Sequence, residues 1–526
     1  MCMVTKGVVV LKKIVYVLLI VLCSLSMLSL MRSKISASGQ SRILYVNADG
    51  STEFLTIQEA VSNASSGDII FVYKGTYNES VEVDRSVSLV GEDRDSTVID
   101  GQNPQFVINV TADDVSITGF TIKKSFANAS SVGIRVSSNG NMISHSKVEG
   151  TYEGIILNGA TDNFVSDNVI SGNFADGISL YFSNKNVFSR NAILNNYEGV
   201  SLYKSDNNTF SDNMISGNRE GVSLLSSGNN VFSGNTFVNN QDGGTISFYS
   251  NHNAFYDNNF HDVIKIESGV ANIWNYAGEG NYWRDYTGQD SNKDGIGNTP
   301  YSIDANNRDN NPLMGMYSGF DAVLTGETYR VSIISNSTIS DFRFEIGAET
   351  GNKMVRFNVT GQDGSIGFSR VAIPTRLMKN YSLIVFGGGE EEINSTLLDI
   401  STSANMFLYL TYPTYFHVSQ TVAIIYSDLL DENLKLQTDL SNLNTTYLDL
   451  LSNYTALLNR YNQLQQNYLG LNTSYSEHLV TYQENLENFR NLTYIFAAAT
   501  AVFIITTFYL SRRLHVPTPK AFEDKK

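Results

Sequence analysis

One skeleton recurs six times between Asn141 and Phe260: NMISHSKVEGTYEGIIL from Asn141, NFVSDNVISGNFADGISL from Asn163, NVFSRNAILNNYEGVSL from Asn186, NTFSDNMISGNREGVSL from Asn208, NVFSGNTFVNNQDGGTISF from Asn230 and NAFYDNNF from Asn253. The intervals are 22, 23, 22, 22 and 23 residues. A period this steady is the mark of one supersecondary unit stacked on copies of itself. Within a unit the apolar residues fall in three short groups, for example Val187/Phe188, Ile193 and Val200/Leu202 with Ser201 between the last two. No run is long enough for a helix, so each repeat reads as three short strands and three bends. That is one coil of a parallel β-helix, each strand pairing with its counterpart about 4.8 Å away in the next coil. A leucine-rich repeat has similar length but needs a Leu-rich consensus that is missing.

The columns this stacking creates carry separate expectations. Asn163, Asn186, Asn208 and Asn230 at one bend, and Asn168, Asn191, Asn213 and Asn235 at the next, can each donate to one neighbouring coil and accept from the other. Asn also suits left-handed bends, and Gly154, Gly177, Gly199 and Gly221 are expected to mark the third bend. Phe188, Phe210, Phe232 and Phe255 should stack inside. The residue before each of those glycines is acidic: Glu153, Asp176, Glu198, Glu220 and, in the next repeat, Asp242. Carboxylates about 5 Å apart repel by roughly 1 kcal/mol in water and about 3–4 kcal/mol at an effective dielectric of 20. Such a column is a solvated turn or a cation and ligand site. Tyr181, Phe182 and Tyr203 after the third strand, with Tyr152 and Tyr197 before it, are candidates for an aromatic platform under sugar rings. A neighbouring column, His145, Asp167, Arg190, Asp212, Gly234 and Asp257, reads as an inter-coil ion-pair ladder.

Outside the repeat, Thr56-Ile57-Gln58-Glu59 is a capping box, opening a short helix (56–64) with Leu55, Ile57, Ala60 and Val61 as its apolar face over the first coil. Lys6, Lys12 and Lys13, the apolar run Ile14 to Met31 and the small polar residues after it have the layout of a secretory signal over residues 1–39. Both cysteines, Cys2 and Cys23, fall inside that segment, so an exported mature chain would hold no disulfide. Tyr494 to Leu510 is at the lower limit for a membrane span, and Arg512 and Arg513 place a tail of 511–526 on the cytoplasmic side. A net charge of −16 argues against nucleic acid as a partner.

The segment TIQEAVSNASSGDIIFVYKGTYNESVEVDRSVSLVGEDRDSTVIDG, Thr56 to Gly101, resembles the opening of right-handed β-helix proteins of the pectin lyase-like superfamily, which includes pectin methylesterases. From Arg42 to Gly315 the repeats, with NYWRDYTGQDSNKDGIGNTPYSID near their end, resemble the NosD-like repeat proteins common on archaeal cell surfaces. The esterase strings QDT, DFIFG and LGRPW do not occur, so methylesterase activity is not expected. The NosD resemblance implies copper handling, but the mature chain would have no Cys and only scattered His, among them His252 and His261, so copper is not carried over. The superfamily also holds polysaccharide lyases and glycoside hydrolases that work with carboxylates and an Arg, a role that would fall to Asp167, Arg190 and Asp212.

Asp290, Asn292, Asp294 and the carbonyl of Ile296 match the first half of a calcium loop, with Asp304 or Asp285 to complete the shell; Tyr301 stands where an EF-hand has Glu. Alternating segments from Met316 to Tyr415 read as a small β-sandwich, and FNVTGQDGSIGFSRVAIPTRLM within it resembles a β domain of other archaeal surface proteins. Over 427–490, Tyr447, Tyr454, Tyr461, Tyr468 and Tyr475 alternate with Leu443, Leu450, Leu457, Leu464 and Leu471 in a heptad seam with a stutter after Tyr475. An exposed seam of this kind implies self-association. Asn-x-Ser/Thr sequons such as Asn63, Asn109, Asn336, Asn444, Asn453 and Asn472 fit an extracellular glycoprotein. The expected whole is a mainly β chain: a right-handed parallel β-helix over 42–315, a β-sandwich, a coiled-coil stalk and one membrane span. Its expected work is recognition or adhesion outside the cell, of a glycan or a surface-layer component, without catalysis. A polysaccharide-degrading enzyme is the alternative, and a purely structural envelope protein a second.

Overall fold

The structure, a computed structural model, describes residues 41–125, 131–266, 270–348, 350–379, 383–386, 391–415, 419–426 and 429–513. The expected leader and residues 514–526 of the expected tail lie outside the described residues. The chain divides into two units, one ending at Ser427 and one beginning at Asp428.

The first unit opens with a parallel β-helix of three long sheets. Sheet I holds ten strands from Ile43–Val46 to Ala254–Tyr256, sheet II ten from Gly75–Tyr77 to Tyr282–Trp283, and sheet III nine from Val81–Val83 to Ile264–Ile266. A typical coil runs Val187–Ser189, Ala192–Leu194, Glu198–Tyr203, and each strand pairs in register with the coil before and after. Side chains alternate, so Phe188, Ile193, Val200 and Leu202 fill the interior at 0–1% exposure. The interior phenylalanines stack, with Phe188–Phe210, Phe210–Phe232 and Phe232–Phe255 ring centroids 4.6, 4.9 and 4.9 Å apart and nearly parallel.

Buried asparagines hold the bends. Asn208 Nδ2 donates to Asn230 Oδ1 (3.1 Å) and Ser183 O (2.9 Å), while its Oδ1 accepts from the backbone and side-chain nitrogens of Asn186 (2.9 and 3.1 Å). A parallel ladder joins Asn168, Asn191, Asn213, Asn235, Asn258 and Asn281, and a third joins Asn173, Asn196, Asn218 and Asn240. Two details of the bends differ from expectation. The left-handed residues are not the ladder asparagines but their predecessors, for example Lys185, Asn207 and Asn229, together with the whole column His145, Asp167, Arg190, Asp212, Gly234 and Asp257, at φ from 48° to 68°. Gly154, Gly177, Gly199 and Gly221 lie inside the sheet III strands with ordinary φ. They are glycine because a Cβ has no room: at Gly199 it would stand 2.5 Å from the Gly221 carbonyl oxygen.

Helix α1, Ile57–Asn63, covers the first coil with Ile57, Ala60 and Val61 buried. Thr56 Oγ1 accepts from Glu59 N (3.2 Å) as the capping box requires, and the Glu79 carboxylate takes the next free donors, Ile57 N (2.8 Å) and Gln58 N (2.9 Å). Leu55 is exposed and Phe54 packs in its place. At the other end Trp274 stacks on Phe255 (4.6 Å), and Trp283 on Phe260 (4.8 Å) and Tyr301 (4.3 Å), sealing the last coil.

Two five-stranded antiparallel sheets follow, from Met316–Leu324 to Gln420–Tyr426. They share a core of Val331, Ile333, Phe357, Val371, Leu408 and Val422. The strand Gln420–Tyr426 pairs with both Lys353–Thr360 and Leu383–Phe386, so the strands run past the expected end at 415. The second unit is one helix, α2, Leu429–Arg513. It is continuous through the Tyr/Leu seam and the apolar run, and it is long and apolar enough to cross a membrane. Tyr447, Tyr454, Tyr461 and Tyr468 stand 60–68% exposed along it.

Candidate functional site

On the outer surface of sheet III polar side chains of three kinds run in parallel columns. The strand Glu198–Tyr203 turns Val200 and Leu202 inward and leaves Glu198, Ser201 and Tyr203 partly accessible, whereas Ser179, one coil earlier, is buried. Register carries this across coils: Asp176 pairs with Glu198 and Glu198 with Glu220, Ser179 with Ser201 and Ser201 with Ser223, and Tyr181 with Tyr203. Glu153 opens the carboxyl column one coil earlier. The columns touch: Ser179 Oγ donates to Asp176 Oδ2 (2.9 Å) and Tyr181 OH to Glu153 Oε1 (3.4 Å). Of the acidic and aromatic residues singled out in the sequence, Glu153, Asp176, Glu198, Glu220, Tyr181 and Tyr203 therefore share one face.

Burial and like charge work together on these carboxyls. Asp176 is pushed up to about 6, first by burial and then by Glu153 and Glu220, with Ser179 and Ser201 pulling the other way. Glu198 is pushed up to about 7 by burial, then by Asp176 and Glu220. Its Oε2 is buried and has no hydrogen-bond partner. Burial also raises Glu153, and burial with the neighbouring carboxylates raises the Tyr181 phenol to about 12. Two adjacent carboxyls near neutrality can exchange protons with a ligand at ordinary pH.

The remaining members of the two columns sit elsewhere. The coil after Glu220 carries one extra residue, so Val222 pairs with Thr245 and the place beside Glu220 goes to Gly243. Asp242 slips off the column and instead pairs with Arg219 (2.6 Å), whose guanidinium lies 4.8 Å over the Tyr197 ring and donates to its hydroxyl (2.8 Å). Phe182 turns the corner after sheet III with φ 53°, edge-on to Tyr203 at 5.5 Å, and Lys204 Nζ lies 5.1 and 5.5 Å from the Tyr203 and Phe182 rings. Tyr152 stands at the opposite end of its strand, 36% exposed.

Asp167, Arg190 and Asp212 lie on the corner after sheet I, at the junction with the antiparallel sheets. Arg190 forms a bidentate pair with Asp167 (2.7 and 3.0 Å), while Asp212 is paired by Arg330 of the strand Glu327–Ser335, which also holds Asp321 (3.2 Å). These three groups are engaged in ion pairs and lie off the sheet III face.

In the closing loop, Asp290 accepts from Asp294 N (3.0 Å) and Gly295 N (2.8 Å), Asp294 Oδ1 accepts from Ile296 N (2.9 Å), and Asn292 Nδ2 donates to Asp294 Oδ2 (2.7 Å). Asp304 is taken by Asn306 N (2.6 Å) and Asn307 (2.8–2.9 Å), and Asp285 by the Tyr301 hydroxyl (3.0 Å). Among the described residues no three His, Cys, Asp or Glu side chains form a group that could hold a metal ion.

With this geometry in view, residues 61–288 match the family described as "Periplasmic copper-binding protein (NosD)". That segment is a NosD-like β-helix. The match spans most of the β-helix and stops short of the antiparallel sheets and α2. No curated protein matches the chain. Among solved structures it is similar to pectate lyase Pel9A (16% identity over 44% of this chain and 74% of that one, TM-score 0.34). It is also similar to an alginate lyase from Paenibacillus sp. str. FPU-7 (15%, 46% and 97%, TM-score 0.35) and to ORF18 of Geobacillus virus E2 (13%, 72% and 79%, TM-score 0.34). These are distant likenesses of fold. The copper of the NosD description finds no matching donor set among the described residues. His145 and His252 are exposed left-handed corner residues, and His261, its pKa lowered by burial and then by Arg284, lies 5.7 Å from the Tyr282 ring.

Proposed function

We propose that this chain is a membrane-anchored surface protein whose β-helix head binds carbohydrate along the outer face of sheet III without cleaving it. The observation that carries the reading is the alignment, over successive coils, of the carboxyl, hydroxyl and phenol columns on one face. Sugar hydroxyls are both donors and acceptors and match a row of Ser and partly protonated carboxyls, while Tyr181, Tyr203 and Phe182 offer apolar ring surface to the C–H faces of a sugar. Four acidic residues on this face, Glu153, Asp176, Glu198 and Glu220, disfavour a polyuronate, whose charge on every ring would meet like charge at roughly 1 kcal/mol per pair in water and about 3–4 at an effective dielectric of 20. The ligand is therefore a neutral or amino-sugar polymer, on a cell surface or in a surface layer.

The anchor is the apolar part of α2, 494–510, with the chain before it outside and the residues after Arg512 and Arg513 inside. The Tyr/Leu seam of the same helix pairs in parallel with copies of itself, since anchored chains all point the same way; Tyr461→Glu on the seam should return the detergent-solubilised protein to a monomer by native mass measurement. The test of the head is a glycan array probed with the full-length protein in detergent. Neutral or amino-sugar oligosaccharides should bind and Tyr203→Ala should lower their affinity about tenfold or more, in the range of a lost aromatic contact. Absence of binding to every glycan would leave the structural-envelope reading standing. A second reading, a glycoside hydrolase or lyase, is favoured by one observation, the adjacent Asp176 and Glu198 carboxyls held at about 6 and 7. Release of oligosaccharide from a bound polymer, abolished by Asp176→Asn, would establish catalysis in its place.

A further inference from the structure

The β-helix meets the antiparallel sheets across a seam of charged groups that the carbohydrate face does not use. From the β-helix come Asp167, Arg190, Asp212 and Asp257, all on the left-handed corner column, and Glu279 from the closing segment. From the antiparallel sheets come Asp321, Arg330 and Arg370, with Tyr317 beside them. Five carboxyl groups thus face three guanidinium groups. Arg190 is committed to Asp167, Arg330 to Asp212 and Asp321, and Arg370, only 4% exposed, to Glu279 through Nη2 (2.8 Å), with its guanidinium 4.7 Å over Phe407.

Asp257 is left over. Its backbone N–H donates to Gly280 O (2.5 Å), which sets Asp257 against the segment that carries Glu279, and its Oδ1 is buried with no hydrogen-bond partner. Arg370 Nε, equally buried, has none either. Around them the contact is tight: Asn259 exchanges two hydrogen bonds with the Tyr317 backbone (2.7 and 2.9 Å), and Ile296 and Leu313 pack with Ile334. An extra negative charge buried here is balanced only in part, because the Arg370 guanidinium beside it is already paired with Glu279.

We propose that this seam is a proton-dependent clasp, closed when Asp257 carries a proton and loosened when it ionises beside the Glu279–Arg370 pair. The sign follows from burial and from Glu279, which together hold the Asp257 carboxyl well above its ordinary value. A group raised in the closed state lends stability that is fully present below the ordinary carboxylate range and is lost as pH rises through the raised value. Between the two, the open fraction grows about tenfold per pH unit. Asp309, bonded to Trp283 Nε1 (2.8 Å) and Asn281 N (2.7 Å) and held at about 6, titrates in the same direction behind the seam and adds its own, separable dependence.

The test is hydrogen exchange on the full-length protein in detergent between pH 5 and 9, corrected for intrinsic exchange, read at segments 276–282 and 366–374 and, as an internal reference, at the middle coils 208–225. In the wild type, protection at the two seam segments should fall with pH by up to tenfold per unit relative to the reference. Asp257→Asn should remove that part of the slope and leave the part due to Asp309, and Glu279→Gln, which takes away the like charge and leaves the burial, should independently reduce it. A wild-type slope no steeper than the reference overturns the clasp, as does a slope unchanged in both variants. Should Asp257→Asn fail to fold, Glu279→Gln decides alone.

Discussion

Two columns of the β-helix repeat with the same period and have opposite energetics. Along the asparagine ladder, Asn213 is buried with its Nδ2 donating to Phe188 O (3.0 Å) and Asn235 Oδ1 (2.9 Å), while its Oδ1 accepts two bonds from Asn191 (2.9 and 3.0 Å). Along the carboxyl column, Glu198 has like charges on both sides and a buried oxygen with no partner. Repetition with every polar group satisfied builds a scaffold. Repetition of like charge on a half-buried face works against the fold, a cost repeated over Glu153, Asp176, Glu198 and Glu220.

The comparison can be broken from the scaffold side first, where the effect is largest. Asn213→Ala removes four hydrogen bonds and strands the partners on Asn191 and Phe188, at about 1–3 kcal/mol for each buried group left unsatisfied. A total loss of about 3–5 kcal/mol is expected, seen as a lower urea midpoint for the β-helix transition. Gly199→Ala comes next. Its Cβ would meet the Gly221 carbonyl and Ile215 Cγ2, so overpacking of about 1–3 kcal/mol is expected in the same experiment. If Gly199 were only a bend residue the substitution would act through backbone strain, and a larger side chain would cost no more than Ala; instead Gly199→Val should cost more.

The scaffold was largely legible in the sequence, because its partners lie one period away. The β-helix class, two of the three asparagine ladders, the phenylalanine stack and the capping helix all follow from residues 22 or 23 apart or from a four-residue motif. What a period cannot show is steric exclusion: Gly199 looks the same in sequence whether it supplies a left-handed turn or a missing Cβ. The one-residue insertion before Gly243 also moved Asp242 off a column that a simple alignment keeps it on. The seam was out of reach for a different reason. Arg330 stands 118 residues from Asp212 and Arg370 stands 91 from Glu279, and neither lies within the repeat that made the rest predictable. Asp212 read as an inter-coil pairing residue is in fact held by a different domain. Of the candidate site, the three residue types were visible but their common face was not, since that depends on which strand residues point outward.

From the carboxyl side the expected effect is smaller and pH-dependent. Glu198 is held at about 7, above its ordinary value, so the native state binds a proton more tightly than the unfolded one. The stability linked to that proton is complete below the ordinary Glu range and is lost as pH rises through about 7. Glu198→Gln removes the charge without changing shape. It should leave stability nearly unchanged at pH 5 and raise it by about 1–2 kcal/mol at pH 8, after allowance for solvent screening of a partly exposed group. Equal urea midpoints for wild type and variant at pH 8 would mean that the column is hydrated well enough to bear its charge, and the contrast with the asparagine ladder would disappear.

The smallest effect sharpens the contrast within the face itself. Tyr181 has a half-buried ring beside Tyr203 and a hydroxyl donating to Glu153 at 3.4 Å, long for a hydrogen bond. Tyr181→Phe keeps the ring and removes only that bond, so the stability change should stay within about 0.5–1 kcal/mol. Losing a donor to the ionised form should also move Glu153 further up, so more stability is lost as pH rises through its raised value. The same variant divides the ligand-binding role of the face. If the ring is what a sugar stacks on, Tyr181→Phe retains glycan affinity while Tyr181→Ala loses it; if both lose it equally, the hydroxyl and carboxyl columns make the contact and the tyrosines only border them.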